Sequence, residues 1–222
     1  MIQINRTRKP GVLAAKENKW KAEIRAAATP KARATAQNRY RHKEIKTALD
    51  QMFHGKCAYC ESAITHIDYG HIEHFKPKAV PAYFELAVDW DNLLLACGRC
   101  NGVENKGVKF PGLAEGDPLV NPTEEDPDQH FKFDFDVTTK LANVLSKTGR
   151  GETTWRILGL NRPELVRRRS LFVKKLWVIA TFYDRDSAAR DIIDAAVRDE
   201  AEYAAFARML KLVVDARRQA HP

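Results

Sequence analysis

Two Cys-x-x-Cys pairs, Cys57-Ala58-Tyr59-Cys60 and Cys97-Gly98-Arg99-Cys100, account for all four cysteines of the chain. Two thiolates three positions apart grip one side of a tetrahedral ion, and a second pair supplies the other two corners. Soft sulfur donors favour Zn²⁺ over Mg²⁺ or Ca²⁺. A disulfide framework is the alternative, but it belongs to oxidising compartments and usually to shorter chains. A redox Cys-x-x-Cys explains one pair and not two. His54, just ahead of the first pair, competes as a ligand, yet four thiolates already complete the shell.

Between the pairs lies Gly70-His71-Ile72-Glu73-His74, and Asn101 follows the last cysteine directly. On a strand, adjacent side chains point to opposite faces, so one of Glu73 and His74 can hold a cation while the other reaches a water. Neutral imidazole is a suitable general base near pH 7. A hard divalent ion on one or two protein oxygens neutralises charge at a phosphate, and Asn101 offers a second, neutral oxygen. By itself a Glu-His dipeptide is more often a solvated or structural pair.

The elements that must position these groups are short. Ile64–His74 is expected to supply the first strand of a small hairpin, which Lys76-Pro77-Lys78 breaks. Asn92-Leu93-Leu94-Leu95-Ala96 is an apolar run fit for the second strand, and a short helix is expected to begin near Asn101. On the N-terminal side, residues 11–28 and 33–53 read as two helices rich in Ala, Lys, Glu and Arg, with a break at Thr29-Pro30. Residues 111–150 hold many Pro, Gly and Asp and read as loops. Helical patterning returns over 151–219, where Asn161-Arg162-Pro163-Glu164 has the form of an N-cap followed by proline. The helix it opens aligns Leu165, Phe172, Leu176, Ile179 and Tyr183 as a core stripe. Three segments follow: a basic helical segment (1–56), a zinc-bearing core with a loop-rich extension (57–135), and a C-terminal helical lobe (136–222).

The order of these motifs closely resembles the HNH nuclease family, in its zinc-stapled, four-cysteine branch. Cys57-Ala58-Tyr59-Cys60-Glu61, Ile72-Glu73-His74-Phe75-Lys76-Pro77-Lys78, Trp90-Asp91-Asn92-Leu93-Leu94 and Lys109-Phe110-Pro111 are similar to the HNH component of Septu and retron-linked anti-phage systems. Leu119-Val120-Asn121-Pro122 through Asp126-Pro127 fits the same pattern. The resemblance implies an α+β fold: a ββα-metal, treble-clef-like finger with a structural zinc on Cys57, Cys60, Cys97 and Cys100, embedded between helices. It implies that His74 activates water, that Asn92 holds the loop, and that Asn101 binds a catalytic ion with Glu73. The family commonly has Asp where Glu73 stands and His where Asn101 stands. The longer carboxylate binds an ion directly or through water, and the oxygen-only pair favours Mg²⁺ or Mn²⁺. Lys106 is assigned a phosphate contact. An ABC-type ATPase is the implied partner protein; this chain shows no Gly-x-x-x-x-Gly-Lys-Ser/Thr loop of its own.

Charge supports a nucleic-acid partner. The chain carries a formal net charge of +8, and residues 1–56 hold fourteen Lys/Arg against four Asp/Glu. Such a segment is the electrostatic footprint of a phosphate binder, or else a pair of solvated helices. Glu115–Asp136, with eight acids and one Lys, is expected to stay clear of phosphates. Arg167-Arg168-Arg169 falls on three faces of its helix, about 100° apart. Trp90 is expected to pack beneath the finger, His66 to be partly buried, and His71 to face substrate or solvent. The opening Met1-Ile2-Gln3-Ile4-Asn5 runs into charge rather than a leader, and Leu171–Tyr183, the most apolar stretch, is too short to span a bilayer. A cytoplasmic location is the expectation, with no membrane partner. A non-catalytic treble-clef module that binds nucleic acid or the ATPase is the competing reading.

Overall fold

Proline and capping residues set the N-terminal helices. The computed structural model describes residues 1–111 and 118–220. Helix α1 (Gly11–Ala26) starts behind Pro10, and α2 (Pro30–Gln37) starts where the Thr29 side chain accepts from the Ala32 amide at 3.1 Å. The single helix expected over 33–53 is broken. A 3₁₀ turn over Asn38–Arg41 ends at His42, whose extended backbone and Nδ1 cap α3 (Lys43–Met52) through the Glu44 amide. The break buries Tyr40, and the i, i+4, i+7 set Ile45, Leu49 and Met52 faces the core.

The basic segment is docked, not free. Lys21 Nζ lies 2.7 Å from Glu17 and 2.6 Å from Asp89, and Arg25 lies 2.8 Å from Glu85. Lys9 pairs with Glu17, Arg39 with Glu23 and Lys46 with Asp50. Trp90 is buried beneath the finger and donates its indole N–H to the Thr7 carbonyl at 3.0 Å.

Strand β1 (His71–His74) pairs antiparallel with β2 (Leu93–Ala96), so that Glu73 faces Leu94 and His74 faces Leu93 across the ladder. β1 is shorter than Ile64–His74 because Thr65–Ile67 forms a turn within the exposed stretch Thr65–Tyr69 and Gly70 has φ +66°, a left-handed conformation. All four β2 residues are fully buried. The turn α4 (Gly98–Asn101) follows, and it ends at Asn101 where a helix was expected to begin. The Cys97 sulfur caps it by accepting from the Cys100 amide at 3.4 Å, and the extended backbone of Gly102 stops it.

Residues expected to be loops contain a second sheet, β3 (Phe131–Asp136) and β4 (Leu141–Ser146), paired antiparallel. Asp136 accepts from the Thr138 and Thr139 amides at 2.7 and 3.2 Å to turn the hairpin. Phe131, Phe133, Ala142 and Val144 point into the core. The acidic stretch beginning at Glu115 starts in 112–117, outside the described residues.

Four helices close the chain: α5 (Gly149–Leu158), α6 (Pro163–Ala180), α7 (Ser187–Ala196) and α8 (Ala204–Ala220). Asn161 is not the cap of α6; Arg162 holds that position without a side-chain bond. The Asn161 amide is instead used by β4, accepting from Val144 N and donating to Val144 O, both at 2.9 Å. Leu165, Leu176 and Tyr183 are buried as expected, with Phe172 and Ile179 half-buried. Of the three arginines, 167 and 168 are exposed, while Arg169 is buried and bonds the carbonyls of Ala142 and Leu160. Gly159 ends α5 at φ +56°, and a Cβ there would sit 2.5 Å from Asn105 Oδ1. Gly159→Ala is expected to cost at least ~1–2 kcal/mol, read as a lowered melting temperature. Among the described residues, no helix is long and apolar enough to cross a membrane.

Candidate metal centre and active site

The Cys57–Cys60 knuckle is tied to β2 by the Ala58 amide, which donates to Leu95 O at 2.8 Å. The second pair is set by the end of β2 and by α4. All four sulfurs lie within 4.8 Å of one another, and none is disulfide-bonded. Cys60 and Cys97 sulfurs are 3.9 Å apart, too far for a covalent bond and right for ligands of one ion. The arrangement suits a single tetrahedral, thiophilic ion such as zinc. Four thiolates around Zn²⁺ leave a net charge of −2, and Arg162 Nη1 lies 3.6 Å from the Cys100 sulfur to offset part of it. Nothing in the local sequence pattern marked Arg162. His54 is exposed, away from ligand duty.

Glu73, His74 and Asn101 line one cleft of about 140 Å³, shared with Tyr40 and Lys78. His74 ends β1 and is buried, with Nε2 3.0 Å from the Ala87 carbonyl oxygen. A carbonyl only accepts, so Nε2 carries the proton and Nδ1 keeps its lone pair. Burial lowers the imidazole pKa to about 4, and the nearby Lys78 and Lys106 push the same way. The ring is therefore neutral at physiological pH. Tyr40 meets it edge-on, with centroids 4.5 Å apart.

Asn92 precedes β2 and is buried. Its Oδ1 accepts from Lys76 N at 2.7 Å, and its Nδ2 donates to Lys76 O at 3.0 Å and Leu86 O at 3.1 Å. It thus clamps the segment after β1 to the segment before β2.

Glu73 is almost fully buried, and its Oε1 takes two contacts: Lys106 Nζ at 2.6 Å and Tyr59 Oη at 3.3 Å. Burial raises the Glu73 pKa, against the pull of the Lys106 ammonium. Lys106 is fully buried and also donates to the His74 carbonyl at 2.9 Å. The assignment of Lys106 to a substrate phosphate is therefore corrected: its ammonium points inward as the counter-ion of Glu73. A sequence pattern cannot show this, because a lysine stem reaches either solvent or core with the same spacing. Lys106→Met would strand a buried carboxylate and is expected to destabilise by about 3–5 kcal/mol. Lys106→Met with Glu73→Gln should recover most of that in urea unfolding; an unchanged midpoint in the single variant would show the pair contributes nothing. His66 is exposed, against expectation, because the segment containing it turns away from the sheet; His71 is exposed as well.

Residues 57–107 match the HNH endonuclease family. The chain carries an HNH domain. That domain contains both cysteine pairs, β1, β2 and α4, and ends just after Lys106. The chain is similar beyond the domain to Septu protein PtuB of Bacillus mycoides (strain KBAB4), at 34% identity over 160 residues, 62% of this chain and 53% of the relative. It is 39% identical over 119 residues to Septu protein PtuB of Bacillus thuringiensis, covering 53% of this chain and 41% of the relative. Septu protein PtuA of Bacillus mycoides (strain KBAB4) is 25% identical over 148 residues, 57% of this chain and 20% of that protein. The chain spans about half the length, or less, of the curated PtuB relatives it matches. Tyr40 is a cleft residue outside the HNH domain that motif reading missed; it comes from the N-terminal segment, with no local signal linking it to His74.

Proposed function

We propose that this protein is a metal-dependent nuclease that hydrolyses phosphodiester bonds, DNA foremost and RNA second, in an anti-phage defence system. The observation that carries the reading is the convergence of His74, Glu73 and Asn101 on one cleft inside an HNH domain. Nδ1 of His74 takes a proton from water as the water oxygen bonds to phosphorus, and the bond from phosphorus to the 3′ oxygen breaks. The Ala87 carbonyl and the Tyr40 ring keep His74 in the orientation and tautomer this transfer needs. Glu73 and Asn101 supply oxygen donors that fit a hard cation. Held there, Mg²⁺ or Mn²⁺ would neutralise phosphate charge and stabilise the departing 3′ oxygen. Asn92 acts as a positioning residue, and the four cysteines hold a structural zinc. An ABC-type ATPase as partner rests on the resemblance to Septu systems and on the similarity to both PtuB and PtuA.

One observation favours a second reading. Lys106 already neutralises Glu73, which suits a zinc module that binds nucleic acid or a partner without cutting. Cleavage of supercoiled plasmid and of total RNA separates the two. Wild type is incubated with Mg²⁺ or Mn²⁺, with and without the ATPase, and again in EDTA mild enough to spare zinc. Metal-dependent loss of nucleic-acid integrity is the expected result. Intact nucleic acid in every lane, with zinc retained and binding unaffected by EDTA, would instead establish the binding module.

A further inference from the structure

The basic N-terminal segment reaches the cleft at one point, the 3₁₀ turn over Asn38–Arg41. Tyr40 from that turn is buried against His74, and two cations lie on its ring. Lys78 Nζ is 5.5 Å and the Arg41 guanidinium 5.6 Å from the ring centroid. Arg41 Nε also donates to Tyr40 Oη at 3.1 Å. Lys78 is half-buried and lines the cleft beside Glu73, His74 and Asn101, while Arg41 is exposed. The loop bearing Lys78 is fastened to the same segment, because Gln37 Nε2 donates to Lys78 O at 3.2 Å and to Phe84 O at 3.0 Å.

The charge around this turn is distributed unevenly. Four cations of the N-terminal segment, Lys21, Arg25, Arg39 and Lys46, are neutralised in ion pairs. Among the described residues, no carboxylate lies within ion-pair range of Lys78 or Arg41. Of these two cations, Lys78 lines the cleft that contains His74, and Arg41 lies beside it on the same aromatic ring. A cation resting on an aromatic face is fixed in position yet keeps donors for an anion, and Arg41, with Nε given to Tyr40, still has its two terminal nitrogens.

We propose that Arg41 and Lys78, seated on Tyr40, form the phosphate-binding lip of this site and hold the nucleic-acid backbone beside His74. The N-terminal segment thereby completes a site whose Glu73, His74 and Asn101 come from the HNH domain. The proposal rests on reading the cleft as a nucleic-acid site. It gives the phosphate-contact role, from which burial excludes Lys106, to an exposed arginine and a half-buried lysine that lines the cleft.

The test measures binding of labelled single-stranded DNA, duplex DNA and RNA oligonucleotides by fluorescence anisotropy across a salt series. The full chain is used in the His74→Ala background, so that no cleavage intervenes. Arg41→Gln with Lys78→Gln is expected to weaken duplex binding about 10- to 100-fold near 0.1 M salt. The slope of log K against log salt should become shallower by about two. Lys78→Arg, which keeps the charge, should bind as the parent does. Lys174→Gln with Lys175→Gln, an equal charge removal at exposed positions of α6, should leave most of the affinity. An unchanged slope in the Arg41/Lys78 variant, or an equal loss in the α6 control, would overturn the lip. Wild-type cleavage run in parallel separates the two ideas. His74-dependent cutting with normal binding by the Arg41/Lys78 variant removes the lip and spares the nuclease. Absent cutting with impaired binding removes the nuclease and keeps the lip.

Discussion

His74→Ala is expected to lower phosphodiester cleavage by about 10²–10⁴-fold while the chain stays folded, since a positioned general base contributes that much. The ring's surroundings explain why one substitution has so large an effect. Nε2 is committed to the Ala87 carbonyl at 3.0 Å, so a single nitrogen lone pair is left for chemistry. The pKa of about 4 keeps that lone pair free at neutral pH. Glutamine in its place would keep a polar group but no base of comparable strength, so His74→Gln should be as inactive as His74→Ala. Zinc content and the far-ultraviolet circular dichroism of both variants should match wild type, because His74 is not among the clustered sulfurs and β1 keeps its ladder to β2. Plasmid or RNA cut at the wild-type rate by His74→Ala would remove the mechanism.

Cys57→Ser and Cys100→Ser should fail differently, by losing the fold of the finger. Both cysteines are at most 1% exposed, so little else can replace an ion at the centre of their cluster. Oxygen is a poor substitute for thiolate at a zinc site, and a structural zinc contributes on the order of 10 kcal/mol to folding. That is comparable to the whole ~5–15 kcal/mol stability of a typical domain, enough to decide whether the finger folds. Loss of the clamp would release the Cys57–Cys60 knuckle from β2, and α4 from its Cys97 cap, so Asn101 would leave the cleft. The expected readings are less than one zinc per chain, a flattened thermal transition and no nucleic-acid cleavage. A strong chelator should reproduce them in wild type, and mild reductant should not, because the cysteines are free thiols. A Cys100→Ser variant that keeps zinc and a wild-type melting temperature would show that the cluster is not a structural metal site.

Much of the finger is legible from spacing because its determinants are local. Cys-x-x-Cys pairs, a strand ending in Glu73-His74 and the apolar run Leu93–Ala96 each work within a few residues. The 131–146 hairpin was missed although Phe131-Lys132-Phe133-Asp134-Phe135-Asp136 alternates with the period of a strand. The surrounding Pro, Gly and Asp residues read as loop, and only burial of the Phe face against α8 and the core decides for a sheet. The break at Asn38–His42 was illegible for a related reason. Asn38, Arg39 and Tyr40 have ordinary helix propensities, so the turn there is selected by the burial of Tyr40 and the cap by His42. Asn161 looked like a helix cap by sequence and bonds a strand instead, because short polar side chains compete between near and distant backbone groups.

Residue types and their spacing determined the four-sulfur cluster, the HNH resemblance, the burial of Trp90 and the splayed arginines of α6. These follow from valence, helical period and side-chain polarity, which need no long-range contact. Tertiary structure alone decided which way Lys106 points, that Glu73 is paired with it, that His74 presents Nδ1, and that Tyr40 from the N-terminal segment closes the cleft. Each of these joins groups far apart in the chain, and their energies depend on burial, which arises only when the segments have packed.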